Sequence, residues 1–232
     1  MTSSALFLRR ECMTTIYIVR HGEARGNVER NFHGWYDSDL TENGLAQIGR
    51  LPAYFKNIHL DAAYSSDLKR TRMTAEIVAK EKGLSVIEVP NLREIHGGEW
   101  EDVPWDDLPV RFPESYGNWL EKPHLLEMPG GEKMTDFQDR VYEAVLEITK
   151  ANEGKNVLIA THGTAIKVLL CKIKGVPLSK MPGEKWCDNA SVTVLKAEKD
   201  GIKIELDGDN SHLADISTLA KQKWWRGGKD GE

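Results

Sequence analysis

Cysteine is scarce: the 232-residue chain has three, Cys12, Cys171 and Cys187, with no CxxC spacing. An odd count without that spacing argues against a disulfide framework and against a zinc knuckle, and it suits a reducing cytoplasm. Long apolar runs are missing too, so no stretch matches the ~20 residues of a membrane-spanning helix. Near the start, the apolar residues 5–8 are followed rather than preceded by Arg9 and Arg10, the wrong order for a secretory signal. A basic excess is also absent. The net charge is −5 and the isoelectric point about 5.9, which argues against nucleic acid as the main partner. A local basic pocket for a small phosphorylated molecule is still compatible with that balance. The histidines form no ligand-spaced cluster, so a zinc-dependent hydrolase is a poor fit.

What remains is the composition of a globular chain, 40% hydrophobic and 29% charged, long enough to bury a core without staples. Met13 begins the segment that reads as the domain start. Residues 1–12 read as an N-terminal extension, 13–213 as one domain, and 214–232 as a C-terminal tail. The tail carries Trp224-Trp225 and Gly227-Gly228; the Trp pair could dock on the body or on a second copy, which leaves a homodimer open.

Strand and helix patterns alternate. Residues 15–20 are β-rich and nearly all apolar, as a strand buried on both faces should be. Thr41 is placed to cap a helix towards Phe55 with Leu45, Ile48 and Phe55 on one side, and Pro52 should kink or shorten it. Residues 62–65 suggest a short strand. Ser66 is placed to cap a helix over 67–82 that Gly83 closes, and 85–89 suggest another strand. Residues 97–133 hold five of the nine prolines together with Trp100, Trp105 and Trp119; they read as a short irregular cap with short helices. Thr135 to Gln138 resemble a capping box ahead of a helix bearing Met134, Phe137, Val141, Val145 and Ile148. A buried strand at 156–160, a helix at 163–173 and strands at 191–196 and 202–206 complete the order. This alternation implies a three-layer α/β/α sandwich with a mostly parallel sheet.

Two places share one design: an apolar strand ending in Arg20-His21-Gly22-Glu23, and another ending in Thr161-His162-Gly163-Thr164. Ligand sites in open α/β sheets lie beyond the carboxyl ends of strands. A phosphoryl group spreads negative charge over three oxygens and needs converging donors. Arg20 and Arg70 offer guanidinium forks, Asn27 an amide, and His162, if protonated, another cation. The helix start near Arg70 also favours an anion. His21 can attack phosphorus if one ring nitrogen is bare and the other is held by a carbonyl. A carboxylic acid must protonate the leaving oxygen; Glu94 is a candidate, with Glu23, Glu99 and Asp102 as rivals.

The ordered set resembles the histidine phosphatase superfamily, also called phosphoglycerate mutase-like, on its phosphatase branch. It covers about residues 13–213. The resemblance rests on Arg20-His21-Gly22-Glu23, Asn27, Gly34-Trp35-Tyr36-Asp37, Leu40-Thr41-Glu42-Asn43-Gly44 and Ser65-Ser66-Asp67-Leu68-Lys69-Arg70. It continues through Leu92-Arg93-Glu94, Gly98-Glu99-Trp100-Glu101, Pro129-Gly130-Gly131-Glu132, Thr161-His162-Gly163 and Asn210-Ser211-His212. It implies that His21 accepts the phosphoryl group and Glu94 serves as acid and then base. Arg20, Asn27, Arg70, His162 and the Gly163 N–H would bind phosphate, and no metal is needed. The sequence departs from the pattern at Ala24, where Ser or Thr is common, and at Asp39, where proline is common.

Some features keep two readings. Arg72 rivals Arg70 but is two residues away on another helix face. Trp100, Trp105 and Trp119 serve either core packing or a wall for an apolar leaving group. His33, His96 and His124 read as surface or packing residues, and His212 as structural. The function that follows is metal-independent hydrolysis of a small phosphate monoester. One alternative is a phosphoglycerate mutase, which needs extra cations for a carboxylate; residues 103–133 offer only Arg111, Lys122 and Lys133. The other is an idle member that binds a phosphorylated ligand or a partner protein.

Overall fold

The computed structural model describes residues 13–221. Cys12, the N-terminal extension and the Trp224-Trp225 pair lie outside them. The strands are β1 (Thr14–Arg20), β2 (Ala62–Ser65), β3 (Val86–Glu88), β4 (Asn156–Thr161), β5 (Val192–Glu198) and β6 (Gly201–Asp209). They form one sheet in the order β3-β2-β4-β1-β5-β6. The first four run parallel, and β5 and β6 are antiparallel to their neighbours.

The helices are α1 (Arg25–Glu29), α2 (Glu42–Tyr54), α3 (Lys69–Glu81), α4 (Leu108–Arg111), α5 (Pro113–Glu121), α6 (Met134–Ala151), α7 (Gly163–Lys174) and α8 (Thr218–Lys221). Successive side chains of β4 go to opposite faces. Val157 and Ile159 join Phe137, Val141 and Val145 of α6 and Val168 and Leu169 of α7. Leu158 and Ala160 join Leu51 and Phe55 at the α2 end and Val78 of α3. The result is the expected three-layer α/β/α architecture, with a mostly parallel central sheet buried on both faces. Between β3 and α6 the chain makes α4, α5 and three short 3-10 turns. Among the described residues no helix is long and apolar enough to cross a membrane.

Several local expectations are corrected. Pro52 does not shorten α2, which runs to Tyr54. The proline sits in the last turn, and the next N–H groups still find acceptors, as Phe55 does in Leu51 O at 2.9 Å. Leu45 is exposed, whereas Ile48 and Phe55 are buried. Ser66 does not begin α3. Its hydroxyl is engaged by His162, and the helix starts at Lys69, whose N–H donates to Asp37 Oδ1 at 2.8 Å. Thr135 does not cap α6, because the helix already begins at Met134. Ser217 and Thr218, assigned to the tail on sequence, are buried.

Candidate active site

Pairing of β1 with β4 sets Arg20 beside Thr161. The next residue of each strand is a histidine, so both imidazoles emerge side by side at the carboxyl edge. The ring centroids of His21 and His162 lie 5.3 Å apart at 61°. His21 Nδ1 donates to its neighbour's carbonyl, Gly22 O, at 2.7 Å, which leaves Nε2 as the unprotonated nitrogen. Burial, then Arg70 and Arg20, hold the His21 pKa well below the usual imidazole range. His162 is held low by burial, then Arg70 and His21. The Nε2 of His162 meets Ser66 Oγ at 2.9 Å, while its Nδ1 has no hydrogen-bond partner among the described residues.

Arg70 is the second residue of α3 and is buried. It donates to Tyr36 O at 2.8 Å and Gly34 O at 2.7 Å. Burial pushes its pKa down to about 10, against the pull of Glu94; the group keeps its charge at neutral pH. Arg20 donates to Cys187 O at 2.7 Å. The Gly163 Cα faces its guanidinium so closely that a Cβ there would lie 3.1 Å from Arg20 Cζ. A side chain would crowd the fork, which explains glycine at the start of α7. Asn27 accepts the Ala24 N–H at 2.9 Å through its oxygen.

Glu94 is buried, with Oε1 accepting from Ile95 N–H and Oε2 from Thr164 N–H, both at 2.9 Å. Burial raises its pKa, and those two N–H groups oppose the rise. Arg20, His21, Asn27, Arg70, Glu94 and Gly163 line one cavity together with Ala24, Trp105, Trp119 and Trp186. His162 is not exposed to that cavity; it is fully buried against His21.

The sequence profile of the histidine phosphatase superfamily (branch 1) matches residues 16–210. The chain belongs to the histidine phosphatase superfamily. Phosphoserine phosphatase 1 of Hydrogenobacter thermophilus is 34% identical over 190 residues, 81% of this chain and 88% of its own length. The metal-independent phosphoserine phosphatase of Arabidopsis thaliana is 33% identical over 90% of this chain and 87% of its own. The solved structure of Bacillus stearothermophilus YhfR superposes with a TM-score of 0.83 at 36% identity, over 86% of this chain and 99% of that one. Proteins carrying the phosphoglycerate mutase name match as well.

In this histidine phosphatase the rival acids have other contacts. Glu23 accepts from Thr41, Asn43 and Thr218. Glu99 is exposed. Asp102 binds Asn31 and His33, each at 3.0 Å. Arg72 lies outside the cavity and pairs with Glu88 at 3.3 Å. His33 is not a simple surface residue: it lines the cavity and leans on Asp102.

Sequence reasoning missed the supports. Arg140 grips the carbonyl of Glu94 at 3.2 Å and the Glu132 carboxylate at 2.8 Å. Trp35 Nε1 donates to the same Glu94 carbonyl at 2.8 Å. Asn189 donates to His21 O at 3.1 Å. Lys167, one turn beyond Gly163, lies 4.3 Å from the Trp186 ring centroid, and burial pushes its pKa down to about 8. Trp35 and Glu132 fall in runs that carry the family resemblance, but nothing local says what they hold; Arg140 and Glu132 stand eight residues apart, with Glu132 ahead of α6, a spacing that marks no pair in the sequence.

Proposed function

We propose that this phosphoric monoester hydrolase works through a phosphohistidine on His21, without a metal. The observation that carries the reading is the Nδ1–H of His21 bound to Gly22 O, which leaves Nε2 bare on a ring that lines the same cavity as the buried Arg20 and Arg70. In the first step the Nε2 lone pair bonds to phosphorus as the P–O ester bond breaks. The leaving oxygen takes the proton of Glu94, whose raised pKa suits a general acid. In the second step Glu94 takes a proton from water as the water oxygen bonds to phosphorus and the P–N bond breaks. Arg20, Arg70, Asn27 and the Gly163 N–H at the head of α7 spread the equatorial charge.

Trp105 and Trp119 face the cavity, so the leaving group has an apolar or aromatic face. The substrates are small phosphate monoesters. The test is hydrolysis of an aryl phosphate in the presence of chelator, in wild type and His21→Ala. Activity that survives chelator and disappears in the variant supports the reading, and equal activity in both sinks it. Interconversion of 2- and 3-phosphoglycerate without net phosphate release would replace it with a mutase. Phosphate binding with no turnover on any ester would leave an idle binder.

A further inference from the structure

The imidazole direction of His21 is set by one carbonyl, Gly22 O. That carbonyl shares a planar peptide unit with the N–H of Glu23. Whatever holds the Glu23 N–H therefore aims the carbonyl. The N–H donates to Gln47 Oε1 at 2.8 Å. The other end of that amide, Gln47 Nε2, donates to Ile216 O and to Thr218 Oγ1, both at 2.8 Å. The Thr218 hydroxyl completes the circuit by donating to Glu23 Oε2 at 2.8 Å.

A second circuit reaches His21 from the other side. Asn189 and Ala190 donate to its carbonyl at 3.1 and 3.2 Å. The adjacent Asp188 is buried and accepts from Leu219 N–H at 3.1 Å, Asn210 Nδ2 at 3.2 Å and the Ser217 hydroxyl. Both circuits close on one segment, residues 210–219, nearly the full length of the domain away from His21.

We infer that residues 210–219 form a strap that positions the nucleophile, with Thr218 and Ser217 as its positioning residues. The inference rests on His21 being the nucleophile. Neither residue lines the cavity; each acts through a neighbour. Thr218→Val keeps the shape and removes one acceptor and one donor. The Gln47 amide then loses one of its two anchors, and the Gly22–Glu23 peptide plane loosens. A misplacement on the order of 1 Å costs about 10²-fold in rate, so kcat should fall tenfold or more.

The measurements are kcat on an aryl phosphate and the inhibition constant of inorganic phosphate, in wild type, Thr218→Val, Thr218→Ser and Ser217→Ala. The expected result is a fall in kcat for Thr218→Val and Ser217→Ala with phosphate inhibition within about twofold of wild type, since Arg20 and Arg70 are untouched. Thr218→Ser should restore most of the rate. Unchanged kcat in folded Thr218→Val, parallel loss of kcat and phosphate binding, or no rescue by serine would overturn the strap. If Thr218→Val melts below the assay temperature, Ser217→Ala decides by the same readouts. Turnover that is present in wild type and lost in His21→Ala keeps the nucleophile reading, so a null result in the strap variants then counts against the strap alone.

Discussion

The backbone N–H of Thr164 donates to Glu94 Oε2 at 2.9 Å, so the candidate acid is seated on the first turn of α7. Burial outweighs this bond and that from Ile95, and the Glu94 pKa ends above the ordinary carboxylate value. The acid form is the one that protonates a leaving oxygen. The His21 pKa is depressed, so its nucleophilic form persists well below the usual imidazole range. The two signs together place the optimum on the acid side. kcat/KM should fall as pH rises through the raised Glu94 value, and should fall at low pH only through the depressed His21 value. Glu94→Gln should lower kcat on an alkyl phosphate about 10²- to 10⁴-fold, less on an aryl phosphate whose leaving group needs no proton, and erase the upper limb. Rates across pH with both esters check this, and an intact upper limb in the variant would remove Glu94 from the acid role.

His162 should take up a proton when phosphate binds. Its pKa is lowered by burial, then by Arg70 and His21, and it lies directly behind His21, whose ring lines the cavity. A phosphate dianion reverses the local field and favours the imidazolium. Calorimetry of inorganic phosphate binding in two buffers of different ionisation enthalpy should show that, once the proton phosphate itself gives up on binding as the dianion is counted, wild type takes up more protons than His162→Asn. The same depression sets a stability trend. Between the lowered folded value and the ordinary unfolded value of about 6.5, the unfolded chain binds more protons. The phosphate-free protein should therefore lose stability as pH falls below about 6.5, and phosphate should restore part of it in a thermal melt.

What the sequence made legible was local. An apolar run buried on both faces announces β1 and β4, and Arg20-His21-Gly22 and His162-Gly163 at their ends announce the site. The features that misled were those where a distant group outbid a local one. Ser66 has the chemistry of a helix cap, and its hydroxyl does accept the Leu68 N–H at 3.3 Å, but it also meets His162, 96 residues away, and α3 starts only at Lys69. Pro52 is tolerated because it falls in the last turn of α2. Gln47 is an unremarkable polar residue in one dimension, and it matters because the fold brings Glu23 to it; Asn189 begins a run that resembles the family, but only the fold shows that it holds the His21 carbonyl.

Ala24 should accept a hydroxyl with gain. It occupies the N-cap of α1 without a side-chain hydrogen bond and lines the cavity. Serine there can accept from the first-turn N–H groups, worth about 0.5–2 kcal/mol in helix stability, or can turn its proton towards bound phosphate. Ala24→Ser should raise the melting temperature or tighten inorganic phosphate inhibition several-fold. A variant that does neither would show that the space beside Ala24 points away from the phosphate.

The tryptophans separate wall from core. Trp100 is fully buried, with Phe32, Trp105 and Trp119 around it at ring-centroid distances of 5.4, 6.4 and 6.0 Å. Its Nε1 meets no partner among the described residues, so its replacement costs packing and no hydrogen bond. Trp100→Leu should destabilise by on the order of 3 kcal/mol and leave the ranking of substrates unchanged. Trp119 lies on the cavity side of the same cluster, 5.6 Å from Trp105. An aromatic contact contributes about 0.5–1.5 kcal/mol, which is roughly a two- to tenfold change in affinity. Trp119→Leu should therefore raise KM for an aryl phosphate by that factor and leave kcat/KM for a small polar phosphate near wild type. Melting curves and a two-substrate comparison decide it: equal loss on both substrates would make Trp119 a packing residue like Trp100 and would remove the aromatic face from the leaving group.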